Sequence, residues 1–492
     1  MKTLTLVLEN QLFENYPELD TPSDFVIVES IWLATRLPYH KFRLAYVLTC
    51  QREYRDYLET KGCKVHYFTI DSGIDFEKAL KTLSSSYQKL QYCAVADKFL
   101  ELEIARLSAL YFTKTKIMDS LMFLTSKHDF GEYLANLANK KLVMRDFYAW
   151  QRRRLGILVN EQSGAVGGSW SLDTENRLKL PKNQPVPIRM GNFKSEHYEA
   201  VVTSVNTLFA DNPGIIGDLW LPVNMQQTRK FWLDFLNQSL VNFGPYEDSI
   251  TGRDDYLFHS LISAPLNLGL TTPRELLDML DQFLVEKHTF SIYQNDGQIP
   301  KFFNSIEGLI RQIIGWREWI KGLYDHKYDA NFVTLNFFDS KNPLPSYFYH
   351  PSQSPELKAN LPLYESLTRV ERLAWTHHIE RLMIIANWMT LNCYDPAECY
   401  TWFASQFVDA SEWVMVANVM GMGLFADGGI FATKPYISGG NYIKKMSDYS
   451  SAEWEKLWTD KFWEFLIDNQ TYFKSQPRLN MLLQSKLKTL QN

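Results

Sequence analysis

The sequence predicts an α/β domain built on a parallel sheet, followed by a domain that is almost entirely helical. A chain of 492 residues is too long for one hydrophobic core, so two or more domains are expected. In the first part of the chain, short apolar runs alternate with helical patterns, which is typical of a parallel sheet covered by helices. Beyond about residue 200 the apolar spacing is helical nearly everywhere.

The strands and linker can be placed from the same patterns. The predicted strands are residues 3–8, 25–28, 64–70 and 92–96, with a fifth near 117–124. No GxGxxG follows the first strand, so this Rossmann-like domain is not expected to hold a dinucleotide in the usual way. The run GAVGGSWSLDTENRLKLPKNQPVP reads as a long irregular connection. We therefore predict an α/β domain at 1–130, a helix and linker at 131–199 and a helical domain at 200–492, with long amphipathic helices at 273–286, 306–323 and 367–391.

Composition narrows the class of protein. The chain has no run of eighteen apolar residues, and its N-terminal residues lack a signal-peptide pattern. A cytoplasmic protein that does not insert into a membrane is expected. Five cysteines form no CxxC motif, which argues against a disulfide framework or a zinc site. We expect no metal and reduced, mostly buried thiols.

The net charge of −5 is mild evidence against a nucleic-acid-binding protein. A local basic region is nevertheless present around the run QRRR, which contains Arg152 and Arg153. Further basic residues follow it at Lys179, Lys182, Arg189 and Lys194. A solvated helix face explains such a run equally well, and on charge alone it is the better interpretation.

The most informative stretch is residues 418–449, NVMGMGLFADGGIFATKPYISGGNYIKKMSDY. It is rich in Gly, Ala and Ser, so backbone can approach a ligand closely. Polar groups such as Tyr436 and Tyr442 can fix the orientation of that ligand. A segment that served only for packing would be more apolar and more periodic.

Three other segments carry candidate functional groups. In FHSLISAPLNLGLTTPR, Ser260 and Ser263 lie where a helical run begins, a position that suits either a phosphate or simple N-capping. In EGLIRQIIGWREWIKGLY, Gln312 and Arg317 lie on an amphipathic helix, where a solvated face also explains the charges. THHIERLMIIANW begins with a pair of histidines, usually a structural feature.

These segments, in this order, resemble those of prokaryotic (6-4) photolyases, the iron-sulfur branch of the cryptochrome and photolyase superfamily. The motif GGSWSLDTENR and the run FGPYED extend the resemblance over the whole chain. It implies the cryptochrome/photolyase fold, with an N-terminal antenna-type domain and a helical domain that binds FAD. It also implies light-dependent repair of (6-4) photoproducts by electron transfer from excited reduced FAD.

The resemblance assigns roles to individual residues. It implies that the S-x-x-S element, with Leu261, holds the flavin pyrophosphate, and that Arg381 pairs with Asp409 beside the flavin ring. Asn418 would face flavin N5. The residues expected to bind the cofactor are Ser260, Leu261, Ser263, Gln312, Arg317, Arg381, Asp409, Ala410 and Asn418.

On the DNA side, the resemblance implies that His378, helped by His377, protonates the lesion. The residues expected to contact the lesion or DNA are Gln312, Tyr436, Tyr442, Arg152 and Arg153. Trp402 is expected to carry electrons. Tyr349 stands where a tryptophan of the electron-transfer chain is usual, and Phe403 where a tyrosine is usual, so photoreduction is expected to be slower or differently routed.

The chain departs from that branch at the cluster. Pro362, Ser450, Glu453 and Lys456 stand where four cysteines are expected. An iron-sulfur cluster needs thiolate ligands, so no cluster is expected. Aromatic residues of WEKLWTDKFWEFL are expected to fill the space by packing.

The antenna is left open by the sequence. In the relatives a lumazine lies near the end of the first strand and beside a glutamate. Asn10 and Gln11 could serve here, but Leu33 stands where the glutamate is expected.

The leading hypothesis is therefore a monomeric DNA (6-4) photolyase acting on UV-damaged DNA. A blue-light-sensing cryptochrome without repair activity is the alternative, and a helical interaction protein without flavin is a third interpretation. Repair is favoured because both histidines, Gln312 and the two tyrosines occur together.

Overall fold

The structure is a computed structural model that describes residues 2–16, 21–137, 141–294, 298–450 and 452–491. Five strands form a parallel sheet in the order β3-β2-β1-β4-β5. The strands are β1 Thr3–Val7, β2 Ser23–Val28, β3 Val65–Phe68, β4 Lys89–Cys93 and β5 Lys114–Met118. The predicted parallel sheet is thus confirmed.

The fifth strand differs from the prediction. It begins at Lys114 and ends at Met118, where the predicted strand had only just started. Since β5 lies at the sheet edge and is mostly exposed, its sequence KTKIM lacks the apolar run expected of a buried strand. The apolar residues that follow it belong to the loop after the strand.

Helices cover the sheet and lead into the second part of the chain. The first helices are Ile31–Ala34, Lys41–Thr60, Phe76–Ser84, Lys98–Tyr111, Lys127–Asn136 and Met144–Leu155. The sheet region is tied to the helical part directly, since the backbone N–H of Leu12 donates to the carbonyl of Leu268 at 2.9 Å. The domain boundaries at residues 130 and 199 stay a prediction.

The second part of the chain is helical, as predicted. Its α-helices are Tyr198–Leu208, Met225–Gln238, Leu240–Phe243, Ser263–Leu268, Pro273–His288, Phe303–Ile310, Arg317–Lys327, Leu361–Leu373, His378–Glu380, Asn387–Leu391, Pro396–Gln406, Glu412–Met415, Gly440–Met446, Ala452–Asp468, Gln470–Phe473 and Pro477–Gln491. Three π-helical segments interrupt them, at Arg311–Trp316, Arg381–Ala386 and Val416–Gly423. None of the described helices is both long and apolar enough to cross a membrane.

One predicted helix is broken. The expected helix at 367–391 ends at Leu373, and Ala374 takes a left-handed conformation with φ of 52°. The freed carbonyl of Ala374 accepts from the backbone N–H of Val408 at 2.9 Å. The chain re-enters a helix at His378, which leaves His377 at the turn before it.

Candidate functional site

A cavity of about 330 Å³ lies within the helical part. Each of the three π-helical segments lines it, through residues that include Gln312, Arg381 and Asn418. A π-helical turn locally widens a helix and often marks a functional site. The cavity also brings together chain segments that the sequence analysis had singled out separately.

Most of the residues predicted to bind the cofactor share this cavity. Those that line it are Ser260, Leu261, Ser263, Gln312, Arg317, Arg381, Asp409 and Asn418. Ala410 is buried next to Asp409 but is not part of the lining. The Ser263 hydroxyl does not cap its short helix, because it donates to Oδ2 of Asp409 at 2.7 Å.

An ion pair forms one side of the cavity. Nη1 and Nη2 of Arg381 donate to Oδ1 and Oδ2 of Asp409 at 2.9 and 3.1 Å. Asn267 adds a hydrogen bond to the Asp409 carbonyl at 2.7 Å. Although burial raises it, the neighbouring Arg381 holds the pKa of Asp409 below its usual range. The pair is therefore fixed in its charged form, and removing either partner would leave a costly unpaired charge.

Arg317 is a second cation in the lining. Its guanidinium donates to Oδ1 of Asn267 and to the carbonyl of Met122, and it lies 4.8 Å from the centre of the Trp413 ring. No carboxylate of the described residues forms an ion pair with it. Burial lowers the pKa of Arg317 to about 10, which still leaves it charged at neutral pH. The nearest opposite charge is that of Glu318, whose carboxylate accepts from the backbone N–H groups of Leu124 and Thr125, so the guanidinium can still attract an anionic ligand.

Three histidines form another wall of the cavity: His259, His377 and His378. The rings of His259 and His377 stack with centroids 4.8 Å apart. Burial and then the neighbouring cationic groups lower the pKa of both well below the usual range. Nε2 of His259 and Nδ1 of His377 are buried without a hydrogen-bond partner among the described residues.

His378 has the opposite electrostatic setting. Solvent reaches 51% of its side chain, and its Nε2 lies 3.3 Å from Oδ1 of Asp248. Although burial lowers it, Asp248 raises the pKa of His378 above the usual value. Adjacent histidines are thus held in different protonation states, with His377 neutral and the cation favoured on His378.

Gln312 lies at the same end of the cavity. Its amide donates to Oε1 of Glu247 at 2.6 Å, and Oε2 of Glu247 accepts from Asn176 at 2.8 Å. Burial raises the pKa of Glu247 although Arg311, 3.7 Å away, opposes the shift. Gln312 is thus oriented by a buried carboxylate.

The predicted lesion and DNA contacts divide into two groups. Tyr436 is 38% exposed, and neither it nor Tyr442 lines the cavity. Arg153 is exposed, over the ring of Trp170 at 4.0 Å. Arg152, in contrast, is 0% exposed and donates to backbone carbonyls of the linker, including that of Trp170 at 3.0 Å, so its side chain is engaged by the fold.

The predicted electron-transfer residues are not in the lining. Trp402 is fully buried, donates to the carbonyl of Phe348 at 2.8 Å, and packs edge-to-face on Phe403 at 5.0 Å. Phe403 itself lines the cavity. Burial raises the pKa of Tyr349 to about 12. Electron transfer through Trp402 and Tyr349 stays a prediction.

A second cavity, of about 390 Å³, lies where the strands of the sheet end. Leu33 lines it together with charged residues that include Glu9, Arg43, Asp97 and Lys98, whereas Asn10 and Gln11 do not. Gln11 instead donates to the carbonyls of Cys93 and Ala94, at 3.1 Å each. The Gln11 amide nitrogen is therefore used by the fold, whereas Oδ1 of Asn10 is buried without a hydrogen-bond partner among the described residues.

Where the resemblance would place four cluster cysteines, the chain carries Pro362, Ser450, Glu453 and Lys456. Lys456 pairs with Asp460 at 2.6 Å, on the exposed side of the helix Ala452–Asp468. On the other side of that helix, Trp454 and Trp458 are buried, and the Trp458 indole donates to Oδ1 of Asn360 at 2.7 Å. These side chains do not fit an iron-sulfur cluster.

Sequence reasoning missed His259, Asp248 and Asn267. His259 is adjacent to Ser260, and Asp248 ends the run FGPYED. Their place in segments that resemble the family was the sequence feature that could have identified them. Asn267 was missed because its role depends on Asp409, more than 140 residues away.

Comparisons with known proteins agree with this architecture. A family model described as "Deoxyribodipyrimidine photo-lyase-related protein" matches residues 5–220. A (6-4) photolyase of Agrobacterium fabrum is 30% identical over 498 residues, covering 97% of this chain and 94% of the relative.

Solved structures show the same fold. A bacterial class III photolyase from Agrobacterium tumefaciens matches with a TM-score of 0.56 and 15% identity, over 88% of this chain and 81% of that one. A cryptochrome of Synechocystis sp. PCC6803 matches with a TM-score of 0.53 and 14% identity, over 88% and 83%. The sheet and helices adopt the cryptochrome/photolyase fold, and the chain belongs to the deoxyribodipyrimidine photolyase-related family.

Proposed function

We propose that this protein is a DNA (6-4) photolyase that holds FAD in the 330 Å³ cavity and repairs pyrimidine (6-4) pyrimidone photoproducts in light. The similarity to a (6-4) photolyase over 97% of the chain supports this assignment. The alternative within the family is a light sensor that does not repair DNA.

The cavity suits FAD in three respects. Arg317 forms no ion pair with a carboxylate of the described residues and offers a positive charge to a phosphate. The ion pair between Arg381 and Asp409 presents fixed dipoles to a polar ring edge. Apolar residues make up much of the remaining lining and exclude water.

The single observation that carries the repair proposal is the opposed setting of His377 and His378. Bound reduced FAD supplies the electron when it absorbs light. Asp248 favours the protonated form of His378, whose side chain is half exposed so that a substrate can reach it. Buried His377 stays neutral beside it and adds no competing positive charge. A light sensor has no need of an acid at this position.

The substrate must leave the DNA duplex to reach the histidines, as other base-processing sites require. Exposed Tyr436 and Arg153 are the side chains that we assign to DNA outside the cavity. Gln312, held by Glu247, is assigned to the damaged bases. We further propose that the protein works without an iron-sulfur cluster, because no thiolate stands at the four aligned positions.

The test is illumination of the purified, reduced protein with an oligonucleotide that carries one (6-4) thymine photoproduct. Chromatography should show restored thymines. In His378→Ala we expect normal flavin content and repair slowed on the order of 100-fold, because the proton donor is gone. His128→Ala is the matched control, since the His128 side chain is 80% exposed and lies outside the cavity.

Three outcomes would contradict the proposal. A light-induced spectral change without restored thymines would indicate the sensor. Repair by His378→Ala at the parental rate would remove His378 as the proton donor. A colourless protein that cannot be reconstituted with FAD would rule out both light-driven functions.

A further inference from the structure

We propose that His259, His377 and His378 form a binding site for a transition-metal dication such as Zn²⁺. The sequence gives no indication of this site, because His259 is separated from the other two histidines by more than 110 residues. Only the fold brings them to one wall of the cavity. The proposal goes beyond DNA repair and concerns binding alone. An ion on His378 takes the place of its proton, so the metal-bound protein is not the form that protonates the lesion.

The distances between the three histidine rings are close to those of a metal site. Each histidine offers one ring nitrogen, and these three nitrogens all lie within 4.8 Å of one another. In a tetrahedral zinc site with bonds of about 2.0–2.1 Å, ligand nitrogens are about 3.4 Å apart. Ring movements of up to about 1.4 Å therefore close the site, and His378, half exposed, has room to make them.

Two of the histidines have a ring nitrogen that is free to bind an ion. Nε2 of His259 and Nδ1 of His377 are buried and have no hydrogen-bond partner among the described residues. A buried nitrogen without a partner carries a free-energy cost that a bound ion would remove.

Two carboxylates lie close to ring nitrogens of His377 and His378. Nε2 of His377, opposite the free Nδ1, lies 3.7 Å from Oε1 of Glu380, and this oxygen also lacks a hydrogen-bond partner among the described residues. Asp248 stands 3.3 Å from Nε2 of His378. Carboxylates that orient metal-binding imidazoles are a regular feature of such sites.

Charges near the site act in both directions. Arg189, Arg369 and Arg381 all face the histidines and disfavour an added cation. Arg369 is neutralised by Glu380 and Asp255, and Arg381 by Asp409. Glu247 and Asp248 face His378 and favour the cation. Net repulsion is thereby limited.

The ligand set selects the ion. Three imidazole nitrogens favour Zn²⁺, Cu²⁺ or Ni²⁺ over Mg²⁺ and Ca²⁺, which prefer oxygen ligands. Because three protein ligands leave a fourth position open, the site is of the kind in which zinc keeps an exchangeable water. The cavity provides the entry path.

The test is calorimetric titration of the purified protein, with its flavin, after treatment with a chelator. We expect one Zn²⁺ per chain at micromolar or tighter affinity, and no heat with Mg²⁺. Co²⁺ should bind at the same stoichiometry and give the visible absorption of a low-symmetry nitrogen site. Neither light nor DNA is needed, so failure here is distinguishable from failure of the repair proposal.

Variants locate the ion. His259→Gln and His378→Gln should each weaken Zn²⁺ binding at least tenfold, and His378→Gln alters a half-exposed residue whose loss is compatible with folding. The control is His128→Gln in the exposed group His128, Asp129 and Glu132, which should leave affinity unchanged. Absence of Zn²⁺ binding, or binding lost in His128→Gln and retained in the other two variants, would overturn the proposal.

Discussion

The two cavities of the molecule are similar in size but use their charged side chains differently. The cavity at the strand ends measures about 390 Å³ and the one in the helical part about 330 Å³. At the strand ends, Lys98 donates to the carbonyl of Tyr324 at 2.7 Å, and Oδ1 of Asp97 accepts from the backbone N–H of Trp413 at 2.8 Å. These charges connect the sheet to the helices.

In the helical cavity several polar groups are left over after the fold is made. Arg317 forms no ion pair among the described residues, and neither Nε2 of His259 nor Nδ1 of His377 has a hydrogen-bond partner there. Charge by itself therefore does not distinguish a ligand site from a structural contact. Polar groups that the fold leaves unsatisfied make that distinction, and the following experiments test it.

The largest effect is expected for Asp409→Asn. Arg381 would lose its counter-charge in a pair whose side chains are only 19% and 9% exposed. We expect a loss of about 3–5 kcal/mol in the free energy of unfolding, together with loss of bound flavin. Urea unfolding and flavin absorbance measure the two effects.

The matched control is Asp339→Asn, which breaks the pair with Lys341, whose side chains are 77% and 72% exposed. A change below about 1 kcal/mol is expected there. If both variants lost the same free energy of unfolding, the ion pair in the cavity would contribute no more to stability than an exposed pair.

The next largest effect is expected for Asp97→Asn, in the cavity at the strand ends. Burial, reinforced by Glu412, raises the pKa of Asp97 to about 7. Because its neutral form is favoured in the folded state, Asp97 contributes stability at low pH that is lost as pH rises from about 4 toward 7. Asp97→Asn keeps an acceptor for the Trp413 N–H and removes the titration.

The stability of Asp97→Asn should therefore fall less steeply over this pH range, by up to about 4 kcal/mol relative to the parent. Thermal unfolding at a series of pH values measures it, with flavin content as a check. Parallel pH curves for parent and variant would show that Asp97 titrates normally.

A smaller effect is expected for Asp248→Asn. Asp248 raises the pKa of His378, so its removal should let His378 lose its proton at lower pH. The alkaline decline of repair should then move to lower pH, with a rate on the order of tenfold lower on the alkaline side and little change in acid. An unmoved alkaline limb would mean that another group limits repair.

The smallest effect is expected at an arginine of the helix Met144–Leu155. Arg153→Ala should weaken binding of damaged DNA only a few-fold and reduce its dependence on log salt concentration by about 1, as for one lost phosphate contact. Arg152→Ala should instead lower stability, because Arg152 is buried among backbone carbonyls. Equal effects of the two variants on DNA affinity would contradict this distinction.

Much of the fold could be predicted because it depends on local patterns. Strands such as Phe25–Val28 are apolar runs, and the helix at Pro273 begins with Thr272 as its cap. The edge strand β5 and the break at Ala374 could not be predicted, since one depends on which strand lies at the edge and the other on a backbone contact with Val408. Both facts exist only in the assembled molecule.

The candidate site was predictable where a residue type sits in a motif of the family. Arg381, Asp409 and Asn418 line the cavity as the resemblance implied. The side chain of Arg152 could not be placed, because a run of four polar residues on a helix does not reveal which face packs against the linker. His259 was missed for the same reason, since its stacking partner is distant in sequence.

The π-helical segments make the shape of the cavity sensitive to the deletion of a single residue. Each such turn contains one more residue than the α-turn it replaces. Loss of a single codon from Val416–Gly423 would therefore allow an α-turn to form there, without the extra residue that widens the helix. A point substitution keeps the number of residues in the segment, whereas an in-frame deletion of one residue would narrow the lining at Asn418.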